Sequence, residues 1–368
     1  MSIKCRDIIE FIENIAPVRL AEEWDNVGLA VGSYDAQVKR VMLCLDVTSE
    51  VVEEAARKDV DLLISHHPLI FKAIKNIRVE DSKGSVIHSL IKAGISVYCA
   101  HTSLDAADAG INSRLAALLG LSEVGILRKT KAEKLYKIVV FVPEDSIDTV
   151  RNAICGAGAG WIGNYSNCSF YTKGTGTFKP LEGANPYIGS AGKLERVTEY
   201  RLESVVPEAV LGRVLDAMLK SHPYEEVAYD IYPLELARKE YGMNRIGMLE
   251  KPVGLDEFVS LVKDRLKLAN VRIIGNSARK IQRVAVAGGS FDGNLDVLER
   301  EDVDVLVTGD VKYHDAIDIK ERGLCVIDAG HFGTERVILP VLESMLKENF
   351  PDIEVTCNTV ETDPFIYI

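Results

Sequence analysis

Apolar runs of strand length alternate with segments of helical periodicity in the first third of the chain. Apolar residues at helical spacing predict an amphipathic helix over residues 4–15. A strand over 38–46, a helix over 49–58 and a strand over 61–65 then form a β-α-β unit. The same alternation continues beyond it, with a helix over 86–93 and a strand over 95–100. This pattern is typical of an α/β fold.

The first β-α-β unit recurs 243 residues later in the chain. The segment Asp59-Val60-Asp61-Leu62-Leu63-Ile64-Ser65 aligns without a gap with Asp302-Val303-Asp304-Val305-Leu306-Val307-Thr308. The second unit recurs separately, with Gly94-Ile95 aligned with Gly323-Leu324. Because the loop after this strand is one residue longer in the second copy, His331 aligns with His101, and an acid follows each histidine by four residues. We interpret this as a duplicated α/β domain whose strand-end loops converge on one shared cleft.

A different pair of repeats lies between these two halves. Val142-Pro143-Glu144 and the apolar positions after it match Val206-Pro207-Glu208 at an offset of 64 residues. Two β-α-β units of this size predict an inserted ferredoxin-like α+β domain. We expect a long glycine-rich connector over 156–192 between its repeats, of the kind that is functional or flexible. The predicted organisation is a first half over 1–130, an insert over 131–236 and a second half over 237–368.

Metal-ligating side chains follow several of the predicted strands. His66 and His67 end an apolar strand, and because side chains alternate along an extended chain, the two histidines can each reach a different ion. His101 and His331 also follow strands, and Asp105 and Glu335, four residues further on, supply oxygen donors. Any one of these histidines taken alone is more simply a surface or hydrogen-bonded core residue. Together, nitrogen and oxygen donors without thiolate suit Zn²⁺, Mn²⁺ or Fe²⁺, and a shared carboxylate would hold two ions about 3.5–4 Å apart.

Other motifs carry weaker signals. On spacing alone, Trp24 is best interpreted as the buried anchor of a turn. Gly288-Gly289-Ser290 follows a strand and could bring backbone N–H groups to an anion, but without further context we interpret it as a simple turn. Lys312 and His314 are either binders of a phosphate or carbonyl group or members of a solvated loop. We interpret His222, in the insert, as part of a packing or subunit-contact turn.

Composition restricts the partners of the chain. A net charge of −12 disfavours binding to nucleic acid, because phosphate contacts need clustered Lys and Arg. No apolar run approaches the roughly 20 residues needed to span a bilayer. The N-terminus lacks the apolar core of a signal peptide, and the seven cysteines are scattered. We therefore expect a cytoplasmic protein with reduced thiols.

Several motifs, in this order, resemble the Nif-three-like family, whose members are often labelled GTP cyclohydrolase 1 type 2 homologues. The resemblance covers essentially the whole chain. The motifs are Trp24-Asp25-Asn26-Val27-Gly28-Leu29, Ser65-His66-His67-Pro68, His101-Thr102-Ser103-Leu104-Asp105, Thr308-Gly309-Asp310 and Gly330-His331-Phe332-Gly333-Thr334-Glu335. The middle of the chain resembles the PII/CutA-type insert of the longer members. The resemblance therefore implies a duplicated three-layer α/β domain with an inserted ferredoxin-like PII/CutA-type α+β domain.

The resemblance also implies a site and a function. It implies that His66, His67, Asp105, His331 and Glu335 hold two divalent metal ions per subunit, with Glu335 bridging. Zinc is the first candidate for these ions, with iron or manganese as alternatives. His101 would contact these ligands or act as a general acid or base. The expected activity is metal-dependent hydrolysis of a purine nucleotide such as GTP within a homohexameric ring. The alternative is a non-catalytic ring that binds metal or senses a small-molecule effector.

Overall fold

The computed structural model describes residues 2–236, 239–275 and 280–366. The helices are α1 Cys5–Ile15, α2 Ser49–Arg57, α3 Ser82–Ala93, α4 Thr102–Ala106, α5 Ile111–Leu118, α6 Ile147–Gly156, α7 Leu211–Ser221, α8 Leu255–Leu266, α9 Leu295–Arg300, α10 Tyr313–Glu321, α11 His331–Glu335 and α12 Leu339–Asn349. The strands are β1 Gly28–Val31, β2 Arg40–Cys44, β3 Leu62–Ser65, β4 Ser96–Cys99, β5 Ser122–Ala132, β6 Leu135–Pro143, β7 Ser169–Phe178, β8 Glu195–Pro207, β9 Tyr229–Leu234, β10 Glu240–Val253, β11 Arg272–Ile274, β12 Ile281–Ser290, β13 Val305–Gly309, β14 Val326–Asp328 and β15 Glu354–Cys357. Within these described ranges, no helix combines the length and the apolar character that crossing a membrane requires.

The chain forms two compact units. One combines Met1–Lys131 with Tyr241–Ile368, and the other is the inserted unit Ala132–Glu240. The first unit contains two sheets, with strand orders β1-β4-β3-β2-β15 and β11-β14-β13-β12-β10-β5. Three neighbouring strands are parallel in each sheet, β2-β3-β4 in the first and β12-β13-β14 in the second. A short antiparallel strand pairs with the last of them, β1 with β4 and β11 with β14.

Matching hydrogen bonds occur in the two sheets at the same offset of 243 residues. Asp61 accepts hydrogen bonds from the backbone N–H groups of residues 39 and 40, at 2.7 and 2.9 Å. Asp304 accepts from the N–H groups of residues 282 and 283, at 2.9 and 2.8 Å. Each aspartate thereby ties the start of one parallel strand to the start of the next, so the two halves share side-chain detail as well as strand order.

Both faces of the first sheet are buried. Along β2, Val41 and Leu43 belong to a core with α1 and α12, while Met42 and Cys44 belong to a second core with α2 and α3. Strand β12 divides its alternate residues between two cores in the same way. Because neither face meets water, these strands are continuous apolar runs without a polar alternation, which is the pattern that revealed them in the sequence.

The inserted unit follows the order β6-α6-β7-β8-α7-β9 and forms an antiparallel sheet ordered β7-β8-β6-β9. Apolar residues of β6, among them Ile138 and Val140, pack under α6 and α7 on one face of this sheet. Strand β7 lies inside the segment 156–192, so the expectation of an unbroken connector there was wrong. Its glycines and threonines gave little apolar signal, yet residues 169–178 pair in register with β8. Backbone hydrogen bonds, not apolar periodicity, define this strand.

Candidate metal centre

The ends of parallel strands bring the histidines of the first unit together. His66 and His67 follow β3. His101 lies two residues beyond the end of β4 and immediately precedes α4. In the second sheet, His331 begins the short helix α11 after β14. Asp105 and Glu335 lie one helical turn beyond His101 and His331, in α4 and α11. Because strand carboxyl ends meet at one edge of a parallel sheet, both halves deliver nitrogen and oxygen donors to one place.

Glu335 lies at the centre of this cluster, and its residue is only 3% exposed. Its Oε2 atom is 3.0 Å from His67 Nε2 and 3.1 Å from His331 Nε2. Its Oε1 atom is 3.5 Å from His66 Nε2, which in turn lies 3.7 Å from Asp105 Oδ1. Two sets of donor atoms therefore share Glu335: His67 and His331 on one side, His66 and Asp105 on the other, each set within 4.8 Å.

The Nδ1 atom of each of the four histidines faces an oxygen. His66 Nδ1 is 3.0 Å from the Ala100 carbonyl oxygen, which can only accept a hydrogen bond. The corresponding partners are Asp46 for His67 at 3.1 Å, Asp25 for His101 at 2.9 Å, and Asp310 for His331 at 2.8 Å. These contacts place the ring hydrogen on Nδ1 and leave the Nε2 lone pair for the cluster, as is usual for metal-ligating histidines.

Several of the converging atoms are acceptors without a donor. When each histidine is neutral and carries its hydrogen on Nδ1, the buried atoms His66 Nε2, Asp105 Oδ1 and Glu335 Oε2 have no hydrogen-bond donor among the residues that the structure describes. The Nε2 atoms of His67 and His331 are 3.1 Å apart. Lone pairs and carboxylate oxygens at such distances repel one another unless a positive charge lies between them. The donor set therefore fits divalent metal ions that prefer mixed nitrogen and oxygen ligands.

In the absence of a metal, protons compensate the negative charge. Burial lowers the pKa of His67, but Asp46 and Glu335 outweigh burial and raise it to about 10. Burial also lowers the pKa of His331, and again the acids Glu335 and Asp310 raise it above its ordinary value. Burial raises the pKa of Glu335, whereas the surrounding histidines hold it well below its usual range. The metal-free cluster is therefore an ionised carboxylate that holds a proton on the histidines around it.

Asp25, which the sequence did not single out as a functional residue, orients His101. It accepts hydrogen bonds from the backbone N–H of Thr102 at 3.0 Å and from its hydroxyl group. Burial raises the pKa of Asp25, but hydrogen bonds from His101 and Thr102 lower it to about 2. The expectation that Trp24 is buried was wrong, because 60% of this residue is exposed. Its ring instead contacts Phe71 and His101, with centroids 5.8 and 6.1 Å apart.

The glycine pair at the end of β12 supports Glu335. Gly289 has φ +71°, and a Cβ atom at this position would lie 2.1 Å from Glu335 Oε1. Its N–H donates to Thr334 Oγ1 at 3.0 Å, and the N–H of Gly288 donates to the Asn112 side chain at 2.8 Å. Interpreting these glycines as a simple turn was therefore wrong: they end a strand directly against the cluster.

The remaining sequence candidates lie elsewhere. His222 is buried in the inserted unit, where its Nε2 atom is 3.0 Å from the Phe141 carbonyl oxygen. Lys312 immediately precedes α10, and His314 in its first turn is exposed and packs on Tyr313. The structure brings neither Lys312 nor His314 into a group of potential metal ligands among the described residues.

A cleft of about 840 Å³ borders the cluster within the first unit. His67, Asp310 and His331 lie on its wall, together with residues near the start of α2 and α3 and the C-terminal segment 361–365. Clefts of this size accommodate small molecules up to the size of a nucleotide. A substrate in this cleft would reach the exposed side of His67 and His331.

Comparisons with known proteins agree with the fold. A family model, Duf34/NIF3 (NGG1p interacting factor 3), matches residues 3–364. The "GTP cyclohydrolase 1 type 2 homolog" of Bacillus subtilis is 42% identical over 370 residues, covering 100% of this chain and 99% of the relative. The protein of that name from Halalkalibacterium halodurans is 43% identical over 365 residues, 98% of each chain. The crystal structure of a Bacillus cereus protein related to NIF3 superposes with a TM-score of 0.89 at 39% identity, covering 100% of both chains. The chain belongs to the Duf34/NIF3 family.

Proposed function

We propose that this protein is a dinuclear-metal hydrolase that acts on a purine nucleotide such as GTP. The observation that carries the proposal is the set of buried acceptor atoms around Glu335, which have no donor among the described residues. The name of the Bacillus subtilis and Halalkalibacterium halodurans relatives, GTP cyclohydrolase 1 type 2 homolog, supports the substrate class.

Five residues would hold the two ions. His66 and Asp105 would bind one ion and His67 and His331 the other, with Glu335 shared, and zinc is the first choice over iron or manganese. Bound ions would act as Lewis acids that polarise an electrophile and activate water near neutral pH. The protein's own contribution is orientation, because the partners of the four Nδ1 atoms fix each imidazole before any ion arrives.

His101 would move a proton during the reaction. Asp25 fixes the hydrogen on its Nδ1 atom, so its Nε2 atom can accept a proton. A donor atom of His101 lies within 4.8 Å of donor atoms of His66 and His67. The proton would pass between this ring and a reacting group at the metal cluster, and the buried Asp25 carboxylate would stabilise the imidazolium that forms.

Two measurements test the proposal. Elemental analysis of protein purified without chelator should find about two ions per chain, falling sharply in Glu335→Ala and unchanged in the exposed control Glu348→Ala. The metal-loaded protein should consume GTP, followed by ultraviolet absorbance, and His101→Gln should slow this reaction while keeping the metal. Unchanged GTP with fully loaded wild-type protein would contradict the hydrolase proposal.

A second candidate function is a metal-binding or metabolite-sensing ring without turnover. It is favoured by a separate cavity of about 730 Å³ in the inserted unit. The β-α-β-β-α-β order and the strand order β7-β8-β6-β9 support a ferredoxin-like domain of PII/CutA type. A homohexameric ring in the cytoplasm is part of both candidates, and sedimentation analysis tests the ring. Effector binding without any loss of GTP would favour this second function.

A further inference from the structure

The cavity of the inserted unit is lined by residues of this unit alone. One wall is the face of the sheet opposite α6 and α7, since Phe141 and Glu199 alternate with side chains that pack under these helices. The other wall comes from residues 179–188, which follow β7. A volume of about 730 Å³ accommodates a molecule of nucleoside size.

One charged side chain in the lining of this cavity, Glu199, is buried, whereas the other charged residues of the lining are exposed or half-buried. Glu199 is 8% exposed, and its Oε1 atom accepts a hydrogen bond from Tyr224 Oη at 2.9 Å, the one partner of this carboxylate among the described residues. A Cβ atom at Gly176 would lie 1.8 Å from Oε2, so this glycine leaves the space that the carboxylate occupies. The neighbouring Arg201 is paired with Glu203 at 2.6 Å. A buried carboxylate without a cation favours a ligand that donates hydrogen bonds.

Aromatic rings flank this carboxylate. Tyr224 lies with its ring centroid 6.2 Å from Phe178 and 6.0 Å from Tyr187, and all three residues line the cavity. Tyr187 belongs to the wall that follows β7, and 52% of it is exposed. Flat aromatic surfaces beside a single buried hydrogen-bonding group suit a planar ligand, which stacks on the rings and is oriented by the polar group.

We propose that this cavity is a second small-molecule site, for a planar nitrogen heterocycle or amidine with two adjacent N–H donors. A guanine base carries such a pair on N1 and N2, and both hydrogens would point to the Glu199 carboxylate while the ring packs against Tyr187 and Tyr224. An adenine base presents a lone pair at N1 instead, which a carboxylate repels. The site goes beyond the proposed hydrolase, because it binds its ligand through residues of the inserted unit and needs no metal.

Isothermal titration of the full-length protein with guanosine, inosine and adenosine tests the proposal. Guanosine should bind. Inosine lacks the N2 amino group and should bind roughly tenfold more weakly, and adenosine should bind more weakly still. Glu199→Gln should weaken guanosine binding by about tenfold or more. The control Glu235→Gln changes an exposed acid of the inserted unit that does not line the cavity, and it should leave binding unchanged.

The outcomes separate this site from the metal cluster. Tyr187→Ala, in an exposed wall segment, should also weaken guanosine binding and provides a test if Glu199→Gln does not fold. The component of guanosine binding that Glu199→Gln removes should persist in Glu335→Ala. Loss of binding in Glu335→Ala but not in Glu199→Gln would overturn the proposal and place guanosine at the metal centre. Equal affinity for guanosine and adenosine, or no binding of guanosine and benzamidine at millimolar concentration, would overturn it as well.

Discussion

The metal affinity of the cluster should depend strongly on pH, because metal ions and protons compete for the same histidine nitrogens. Asp46 and Glu335 raise the pKa of His67 to about 10, so the metal-free protein keeps a proton there throughout the neutral range. The 3.1 Å between His67 Nε2 and His331 Nε2 leaves room for one proton between them. A metal ion must displace at least this proton. The apparent affinity of the protein for the metal ion should therefore fall about tenfold for each unit by which the pH is lowered, or about a hundredfold from pH 8 to pH 6.

Calorimetric titration of chelator-treated protein with Zn²⁺, in buffers of different ionisation enthalpy, measures the proton count directly. At pH 7 at least one proton should be released per chain, and His314→Gln, which removes an exposed histidine outside the cluster, should leave this count unchanged. Asp46→Asn should lower the count, since it removes a carboxylate that raises the pKa of His67. Equal zinc affinity at pH 6 and pH 8 with no proton released would refute the reasoning.

Three further predictions concern the residues around the cluster. Gly289→Ala should lose metal, because its Cβ atom would collide with the Glu335 carboxylate. The control Gly293→Ala has a similar positive φ but open space around its Cβ atom, and it should keep the metal. Elemental analysis of both variants measures the metal content. Asp310→Asn should weaken zinc binding roughly 10- to 100-fold in chelator competition, because Asn lacks the charge that orients His331. Asn tolerates the φ of +52° at this position, so the backbone should not change. Unchanged zinc affinity would contradict this prediction. Asn112→Ala should lower the free energy of unfolding, measured by urea denaturation, by about 1–3 kcal/mol. The reason is that the Asn112 side chain links the Asp105 carbonyl to the Gly288 N–H. The exposed control Asn349→Ala should change this free energy by less than about 0.5 kcal/mol.

The sequence predicted the central parallel strands of the first unit, β2 to β4 and β12 to β14, because both faces of the sheets are buried there. It did not predict the strands β5, β10, β11 and β15. Continuous apolar runs that end in histidines mark the strand ends without any tertiary information. Strand β7 escaped the same reasoning, since Gly174 and Gly176 carry no apolar signal and the strand is defined by its pairing with β8. Trp24 was misplaced for a related reason: the size of an aromatic residue favours burial, but its actual neighbours are another exposed aromatic and a histidine.

The side chains that the motifs selected as ligands lie together in the structure, and their binding of metal stays a prediction. The carboxylates that orient the histidines were not found as such. Asp25 and Asp310 lie in motifs that carried the family resemblance, but those motifs did not identify them as partners of histidines, and Asp46 is a single acid in a loop. Asp310 gave one usable hint, because it occupies the position that His67 holds in the other repeat.

By itself the sequence determined the duplicated strand plan, the family and the residue types of the centre, because buried strands and short motifs are local properties of the chain. Only the tertiary structure decided that Glu335 lies between two donor sets, that Asp25, Asp46 and Asp310 hold the Nδ1 atoms, and that Glu199 opens into a cavity over Gly176. These facts depend on contacts between segments far apart in sequence. Distances of about 3 Å between such segments are set by the packing of whole sheets and helices, which no local pattern encodes.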